Sequence, residues 1–323
     1  MTTQVGAEVI DGRASARKLK ERLKADVSLL REDGLGIGLV TVLVGDDYGA
    51  EAYERRLRRL ADELGVSYQP KRLPYDATES EILDLIGDVN ADPDVSGILV
   101  LRPLPSHVNE ATVFRALDPR KDIEAVHPEN AGLLAHGVPR FVPSTAASVF
   151  HLLDTWIDST GENLADFYHR SLIVVVGRSN NVGKPAISLG YEREATVQSV
   201  DEWADRTTGL GRHTRAADVL IVAAGKAGLI KAEHVNDHAV VIDVGINAAT
   251  DADGTVHMVG DVDYASVAPR VRAITQVPGG VGPVTDVWLL HNTVIAARLL
   301  AGQHVPEAPV SMTDSRNSLL GAS

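Results

Sequence analysis

Apolar residues recur at helical spacing between Ala14 and Glu32, where Leu19, Leu23, Val27 and Leu30 fall among Lys and Arg, and this predicts an amphipathic helix ended by Gly34-Leu35-Gly36. The period then changes. Ile37 to Val44 is β-branched and nearly all apolar, the pattern of a strand covered on both faces of a parallel sheet, and Gly45-Asp46-Asp47 turns the chain into a second helix from about Ala50 to Leu64. Val66 to Leu73 predicts a strand, Thr78 to Asn90 a helix opened by the capping box Thr78-x-x-Glu81, and Val95 to Leu101 a buried strand stopped by Arg102-Pro103-Leu104-Pro105. After a polar stretch from Asp118 to His127 and a polar, unpatterned segment from Asn163 to Arg170, where we place the linker, the alternation resumes. Strand Leu172–Val176, helix Gly183–Glu192 and strands Ala195–Val200, Val219–Ala223 and Val240–Val244 make a second doubly wound half. A last helix, Val287 to Leu300, is too apolar to sit exposed.

The expected fold class is therefore α/β with two domains: 1–148, an N-terminal α/β domain, and 149–286, a Rossmann-like parallel-sheet nucleotide domain, with helix 287–301 packing back on the first and 302–323 a flexible tail. The length of 323 residues agrees, at about 150 residues per domain. A formal charge of −13 makes a nucleic-acid partner improbable, because phosphate binding needs a basic face. The chain has no cysteine, which excludes thiol catalysis and thiolate metal sites. Met1 to Gly12 lacks the pattern of a secretory signal, and the densest apolar runs are far shorter than the roughly 20 residues a bilayer requires, so a cytoplasmic protein with no membrane role is expected.

Val174-Val175-Val176-Gly177-Arg178-Ser179-Asn180-Asn181-Val182-Gly183-Lys184-Pro185 joins a buried strand to a helix. Its glycines let the backbone turn sharply and approach a pyrophosphate, toward which the free N–H groups of the helix start would point. It is not G-x-G-x-x-G, and a tight βα turn whose glycines serve geometry alone explains the pattern equally well. The next strand ends at Asp201, 24 residues beyond Gly177. A carboxylate there can accept the ribose hydroxyls of an adenosine and repels a 2′-phosphate, which argues for NAD as cofactor; the plainer reading is an Asp capping the following turn. Gln276 to Thr285 carries three glycines and two prolines between Pro278 and Pro283, a loop preset in shape that admits a ligand close to its backbone, although a hinge could use the same residues. Eleven histidines show no ligand spacing, so no metal is expected. The hydroxyls of Ser144-Thr145 suit a helix N-cap, and the runs Glu192-Arg193-Glu194 and Arg212 to Arg215 suit a solvated face.

Taken together, Val176-Gly177-Arg178-Ser179 with Val182-Gly183-x-Pro185, Val241 to Asn247, Val259-Gly260-Asp261-Val262 and Val277-Pro278-Gly279-Gly280-Val281-Gly282-Pro283-x-Thr285 resemble the methylenetetrahydrofolate dehydrogenase/cyclohydrolase family. The likeness includes Val44-Gly45-Asp46-Asp47, Gly97 to Val100 and Lys121-Asp122, hence nearly the whole chain to about residue 300. It implies a folate-type first domain, a dinucleotide-binding second domain with the pterin in the cleft between them, and a homodimer. It further implies hydride transfer from a methylene bridge between two folate nitrogens to nicotinamide, followed in many members by hydrolysis of the methenyl cation.

The departures sharpen the expectation. Where the family's Tyr-x-x-x-Lys carries a tyrosine that stacks on the pterin and a lysine that works in hydrolysis, this chain keeps Tyr53 but has Leu57. Leu101 stands where family members have Gln, and Glu124 stands where they have the folate-holding Asp. Without an ammonium at 57 the hydrolase step is expected to be absent; Tyr53, Leu57, Leu60 and Leu64 also share a helical face, so Leu57 suits a packed face equally. Arg56 is a neighbouring cation, but roughly 100° around the helix. These losses, with Ser-Val-Asp at 199–201, resemble the monofunctional NAD-dependent branch of the family. The expected machinery is Tyr53 and Glu124 as catalytic residues, and Tyr53, Leu57, Leu101, Glu124, Pro278, Gly279, Gly280, Val281 and Gly282 around the folate. Gly177, Arg178, Ser179, Val182, Gly183, Asp201 and Ile246 would hold NAD. Two alternatives stay open: a paralogue acting on another imine or amine, and a non-catalytic folate- or nucleotide-binding protein.

Overall fold

The short, β-branched apolar runs form strands, because a strand inside a parallel sheet buries both its faces while its neighbours pair its peptide groups. In the computed structural model, which describes residues 6–251 and 254–303, these runs lie in two parallel sheets. Contacts divide the described residues into two units: one comprises Arg17–Ser144 and 286–303, the other 6–16 with Thr145–Thr285.

The second unit's sheet contains β1 (Glu8–Ile10), β5 (Leu172–Val176), β6 (Thr196–Val200), β7 (Val219–Val222), β8 (Val240–Asp243) and β11 (Ala273–Thr275), in the order β1-β11-β8-β7-β5-β6. The first unit's sheet is β3-β2-β4, built from β2 (Gly38–Val44), β3 (Ser67–Leu73) and β4 (Gly97–Val100). All seven residues of β2 are buried, as its continuous apolar run requires of a central strand. A small antiparallel ribbon joins β9 (Asn247–Thr250) to β10 (Val256–Val259).

Helices α1 (Gly12–Glu32), α2 (Tyr48–Leu64) and α3 (Glu79–Ala91) match the expected segments within a few residues, and the Thr78/Glu81 capping box is formed. Short helices α4 (Glu110–Arg115) and α5 (Pro128–Ala135) follow. Of two further helices, α6 (Ser144–Thr160) begins at the Ser144-Thr145 pair whose hydroxyls suit an N-cap, and α7 (Leu164–Arg170) was not expected. The supposed linker at 163–170 is α7: Asn163 caps it by accepting the Asp166 N–H at 3.0 Å, and Phe167 and Tyr168 are buried within the second unit. Helices α8 (Gly183–Glu192), α9 (Glu202–Thr208), α10 (Gly211–Thr214), α11 (Tyr264–Val267) and α12 (Val281–Leu300) complete the set described.

Three other expectations change. The first domain was drawn from residue 1, but β1 pairs in parallel with β11, Glu8 opposite Ala273, so Glu8–Ile10 belong to the second unit's sheet. Arg193 is not on a solvated face: it is 2% exposed, its Nη2 donates to Asp154 Oδ2 at 2.7 Å, and its guanidinium lies 4.4 Å from the Phe150 ring centre. The loop expected to run to Pro283 ends earlier, because Val281, Gly282 and Pro283 form the first turn of α12. The tail 302–323 lies outside the described residues from 304 onward. Among the described residues no helix is long and apolar enough to cross a membrane.

Candidate active site

In the first unit, Asp47 starts α2 by accepting the Ala50 N–H at 2.8 Å, and Ala50, Glu54, Leu57, Ala61 and Leu64 form its buried stripe. Leu57 has no exposed surface, which makes it a packing residue and leaves it nothing to offer a ligand; Leu101, at 4%, is nearly as enclosed. Both therefore depart from their expected place around the folate. Tyr53 and Arg56 flank the stripe. The Arg56 guanidinium lies 4.9 Å from the Tyr53 ring centre and donates to both oxygens of Asp286, Nε to Oδ2 at 2.5 Å and Nη2 to Oδ1 at 3.1 Å. Burial, with the Asp286 and Glu124 carboxylates nearby, holds the Tyr53 phenol well above its ordinary range, so it stays protonated.

Glu124 sits in the same cluster. Its Oε1 accepts the Ser144 N–H at 3.1 Å, and burial pushes its carboxyl up to about 7 against that hydrogen bond. Its position follows from its neighbours. Lys121 Nζ donates to the carbonyls of Asn90 and Asp92 at 2.9 and 2.7 Å, and Asp122 accepts the N–H groups of Val126 and His127 at 3.1 and 2.8 Å, which fixes the turn on which Glu124 stands. The structure thus assembles Tyr53 and Glu124 and adds Arg56, Asp286 and Ser144, which sequence reasoning left without roles. Asp286 had a signal: an acid at the head of an otherwise apolar helix needs a partner.

In the second unit, β6 lies on one side of β5 and β7 on the other, so the strand order reverses there, and the carboxyl ends of β5 and β7 are where open α/β sheets take their ligands. Gly177 has φ +117°, and a Cβ on it would lie 2.2 Å from the Ala223 carbonyl oxygen; one on Gly183 would lie 2.2 Å from that of Gly177. Both glycines are thus required by the turn itself. The Val182 and Gly183 N–H groups are not free, as expected, but donate to Ser179 Oγ at 3.2 and 3.4 Å. Asp201 caps α9, its Oδ1 accepting from the Trp203 and Ala204 N–H groups at 3.1 Å, while its Oδ2 accepts from Arg178 Nη1 at 2.7 Å. Arg178 Nε also donates to Ser199 Oγ at 3.0 Å.

In the proline-glycine segment, Pro278 is exposed and Gly279 and Gly282 are half-buried, whereas Gly280 and Val281 are buried and so depart from the expected ligand-facing role. Gly12 packs so tightly against Gly280 that a Cβ on it would lie 1.8 Å from the Gly280 carbonyl oxygen, which accounts structurally for part of the glycine density. Ile246 is 60% exposed, and its Cδ1 would be the nearest neighbour, at 3.9 Å, of a Cβ on Gly282.

Comparison with known proteins agrees with both halves. Residues 10–124 match the catalytic domain, and residues 143–301 the NAD(P)-binding domain, of tetrahydrofolate dehydrogenase/cyclohydrolase. A relative from Rubrobacter xylanophilus, "Bifunctional protein FolD 3", is 55% identical over 318 residues, covering 98% of this chain and all of the relative. The crystal structure of the bifunctional FolD methylenetetrahydrofolate dehydrogenase/cyclohydrolase of Campylobacter jejuni is 34% identical with a TM-score of 0.82, covering 91% of this chain and 99% of its own. The Trypanosoma brucei dehydrogenase-cyclohydrolase, complexed with NADP and an inhibitor, is 32% identical with a TM-score of 0.82, covering 91% of this chain and 98% of its own. With family models matching residues 10–124 and 143–301 and a relative 55% identical over 98% of its length, the chain belongs to the tetrahydrofolate dehydrogenase/cyclohydrolase family.

Proposed function

We propose that the protein oxidises 5,10-methylenetetrahydrofolate to 5,10-methenyltetrahydrofolate with NAD as hydride acceptor, as a cytoplasmic homodimer, and that it does not hydrolyse the product. The observation that carries this reading is the state of two arginines. Arg178 is bound to Asp201 and Arg56 to Asp286, so neither a 2′-phosphate at the end of β6 nor a water beside Tyr53 meets an unengaged guanidinium there. The residues fit a dinucleotide without that phosphate: Asp201 Oδ2 is an acceptor for ribose hydroxyls, and an anion placed beside it is repelled.

In this reading Tyr53 stacks on the pterin, with its ring held beneath Arg56, and Glu124 accepts from the N–H donors of the aminopyrimidine edge. Gly177 to Gly183 with Asp201 hold the dinucleotide. Nicotinamide, when bound, takes up the hydride. The folate nitrogens' lone pairs stabilise the cation left behind, so the protein's work is orientation and a complementary field. The half-buried Glu124 carboxylate supplies part of that field. With position 57 apolar and Arg56 held by Asp286, this cluster offers no unpaired ammonium or guanidinium to help a water attack.

With purified protein, NADH absorbance is expected to grow on addition of NAD and methylenetetrahydrofolate, with far slower growth from NADP, and the methenyl product is expected to decay no faster than in buffer. Faster turnover with NADP, or accelerated decay, would overturn the respective half of the reading. A pH profile tests Glu124. Below about 7 its carboxyl is protonated and presents an O–H where donors must be received. Hence kcat/KM for the folate should climb about tenfold per unit toward a plateau above 7, and Glu124→Gln should flatten the climb while costing about 10–100-fold at pH 8. The raised value also means that the folded chain keeps a proton the unfolded chain releases, so this group lowers stability as pH rises from the ordinary carboxylate range to 7.

A further inference from the structure

Two aspartates singled out in the sequence, Asp243 and Asp261, have no part in the proposed chemistry, yet both are buried, Asp243 at the end of β8 and Asp261 just after β10. Asp261 has no exposed surface. Its Oδ2 accepts the N–H groups of Ala224 and Gly225 at 2.6 and 2.8 Å, and its Oδ1 accepts the Lys226 N–H at 2.8 Å and Asn247 Nδ2 at 2.9 Å. Three successive N–H groups converging on one oxyanion form a nest of the kind that elsewhere holds phosphate; here the protein's own carboxylate fills it. Asp243 holds Asp261 in turn: its carboxylate accepts the N–H groups of Gly245, Asp261 and Val262 at 2.9, 3.0 and 3.0 Å. The Asp243 N–H donates to Thr275 Oγ1 at 2.8 Å. The two glycines of the motifs are what permit the approach, since a Cβ on Gly260 would lie 1.8 Å from Asp243 Oδ2 and one on Gly245 2.2 Å from Asp261 Oδ1.

The chain of contacts runs from the end of β11 (Thr275) through β8 (Asp243) and Asp261 to the loop after β7, and Ala223 in that loop is what Gly177 at the end of β5 packs against. We propose that Asp261, held by Asp243, is a positioning residue for the dinucleotide: it pins the loop Ala224–Lys226 into the shape that forms one wall of the crevice between the ends of β5 and β7. The proposal rests on a dinucleotide occupying that crevice, and not on which one. The same bonds anchor a short loop whose Gly225 (φ +65°) and Gly228 (φ +61°) sit in the left-handed region.

The test is Asp261→Asn in the full-length protein, with NADH and NADPH affinities read by nucleotide fluorescence and the KM for methylenetetrahydrofolate read separately. An amide keeps the volume but can accept on one atom only, and its NH2 opposes the loop donors. The expected result is at least a tenfold loss of affinity for whichever dinucleotide the wild type binds, with the folate KM within twofold. A purely structural role would lower Tm without separating the two ligands. Asn247→Ala, which removes one donor to Asp261 and leaves the loop bonds, is expected to weaken the dinucleotide by about 2–5-fold. Unchanged dinucleotide affinity in a folded Asp261→Asn protein overturns the proposal. So does an Asp261→Asn protein that fails to fold beside an Asn247→Ala protein of unchanged affinity, and so does a wild type that binds neither nucleotide. A wild type that prefers NADPH overturns the NAD reading and leaves this test intact.

Discussion

Replacing Asp201 with serine is expected to move the NADP-to-NAD ratio of kcat/KM upward by about 100-fold, the value of one charge-assisted contact of roughly 3 kcal/mol gained by the phosphate. Serine caps a helix nearly as well as aspartate, so α9 should keep its start and the protein its fold. What changes is Arg178. At present it donates to Asp201 Oδ2 and Ser199 Oγ, with its side chain half exposed. With the carboxylate gone, the guanidinium is free to take a 2′-phosphate bidentately, and the repulsion of that phosphate disappears with it. Adding Arg178→Ala to the serine variant should return the ratio most of the way. A ratio unmoved by Asp201→Ser would mean that the end of β6 does not select the cofactor.

Putting lysine at Leu57 is expected to destabilise the protein by about 3 kcal/mol or more without creating hydrolase activity. The site has no exposed surface, so the change removes a packed isobutyl group, at about 2–5 kcal/mol for such losses, and leaves an ammonium among apolar neighbours. At roughly 2–4 °C per kcal/mol, the melting temperature should fall by about 6–12 °C. Methenyltetrahydrofolate decay should stay at the buffer rate, and the double change with Leu101→Gln, also a buried position, should not rescue it. An unchanged melting temperature together with accelerated decay would show that position 57 faces the substrate and that the packed stripe of α2 is not its setting.

Local pattern was enough for much of the architecture. The seven buried residues of β2 follow from a nearly all-apolar run, α3 from Thr78 and Glu81 three residues apart, and the turn after β5 from glycines whose replacement would strike the backbone. The proximity of Tyr53 and Glu124 was legible only through the family resemblance, for nothing in their spacing requires them to meet. Leu57 was ambiguous in one dimension, because a helical face that packs and a face that lines a pocket have the same period. Asp201 was ambiguous for a similar reason: a carboxylate at the end of a strand can cap the next helix and face a ligand, and here one oxygen caps while the other is taken by Arg178.

By itself the sequence determined the class of elements, their order and the two loops at which a ligand can approach the backbone, since hydrophobic period, caps and glycine freedom act over a few residues. Only the tertiary structure decided which charges are spent and which surfaces are hidden. Arg56 meets Asp286 across 230 positions of chain, Asp261 binds a loop more than 30 residues before it, and β1 joins a strand near the other end. Such pairings depend on where folding carries distant segments, and the energies involved are those of desolvated charge and packed area, which no short window of residues contains.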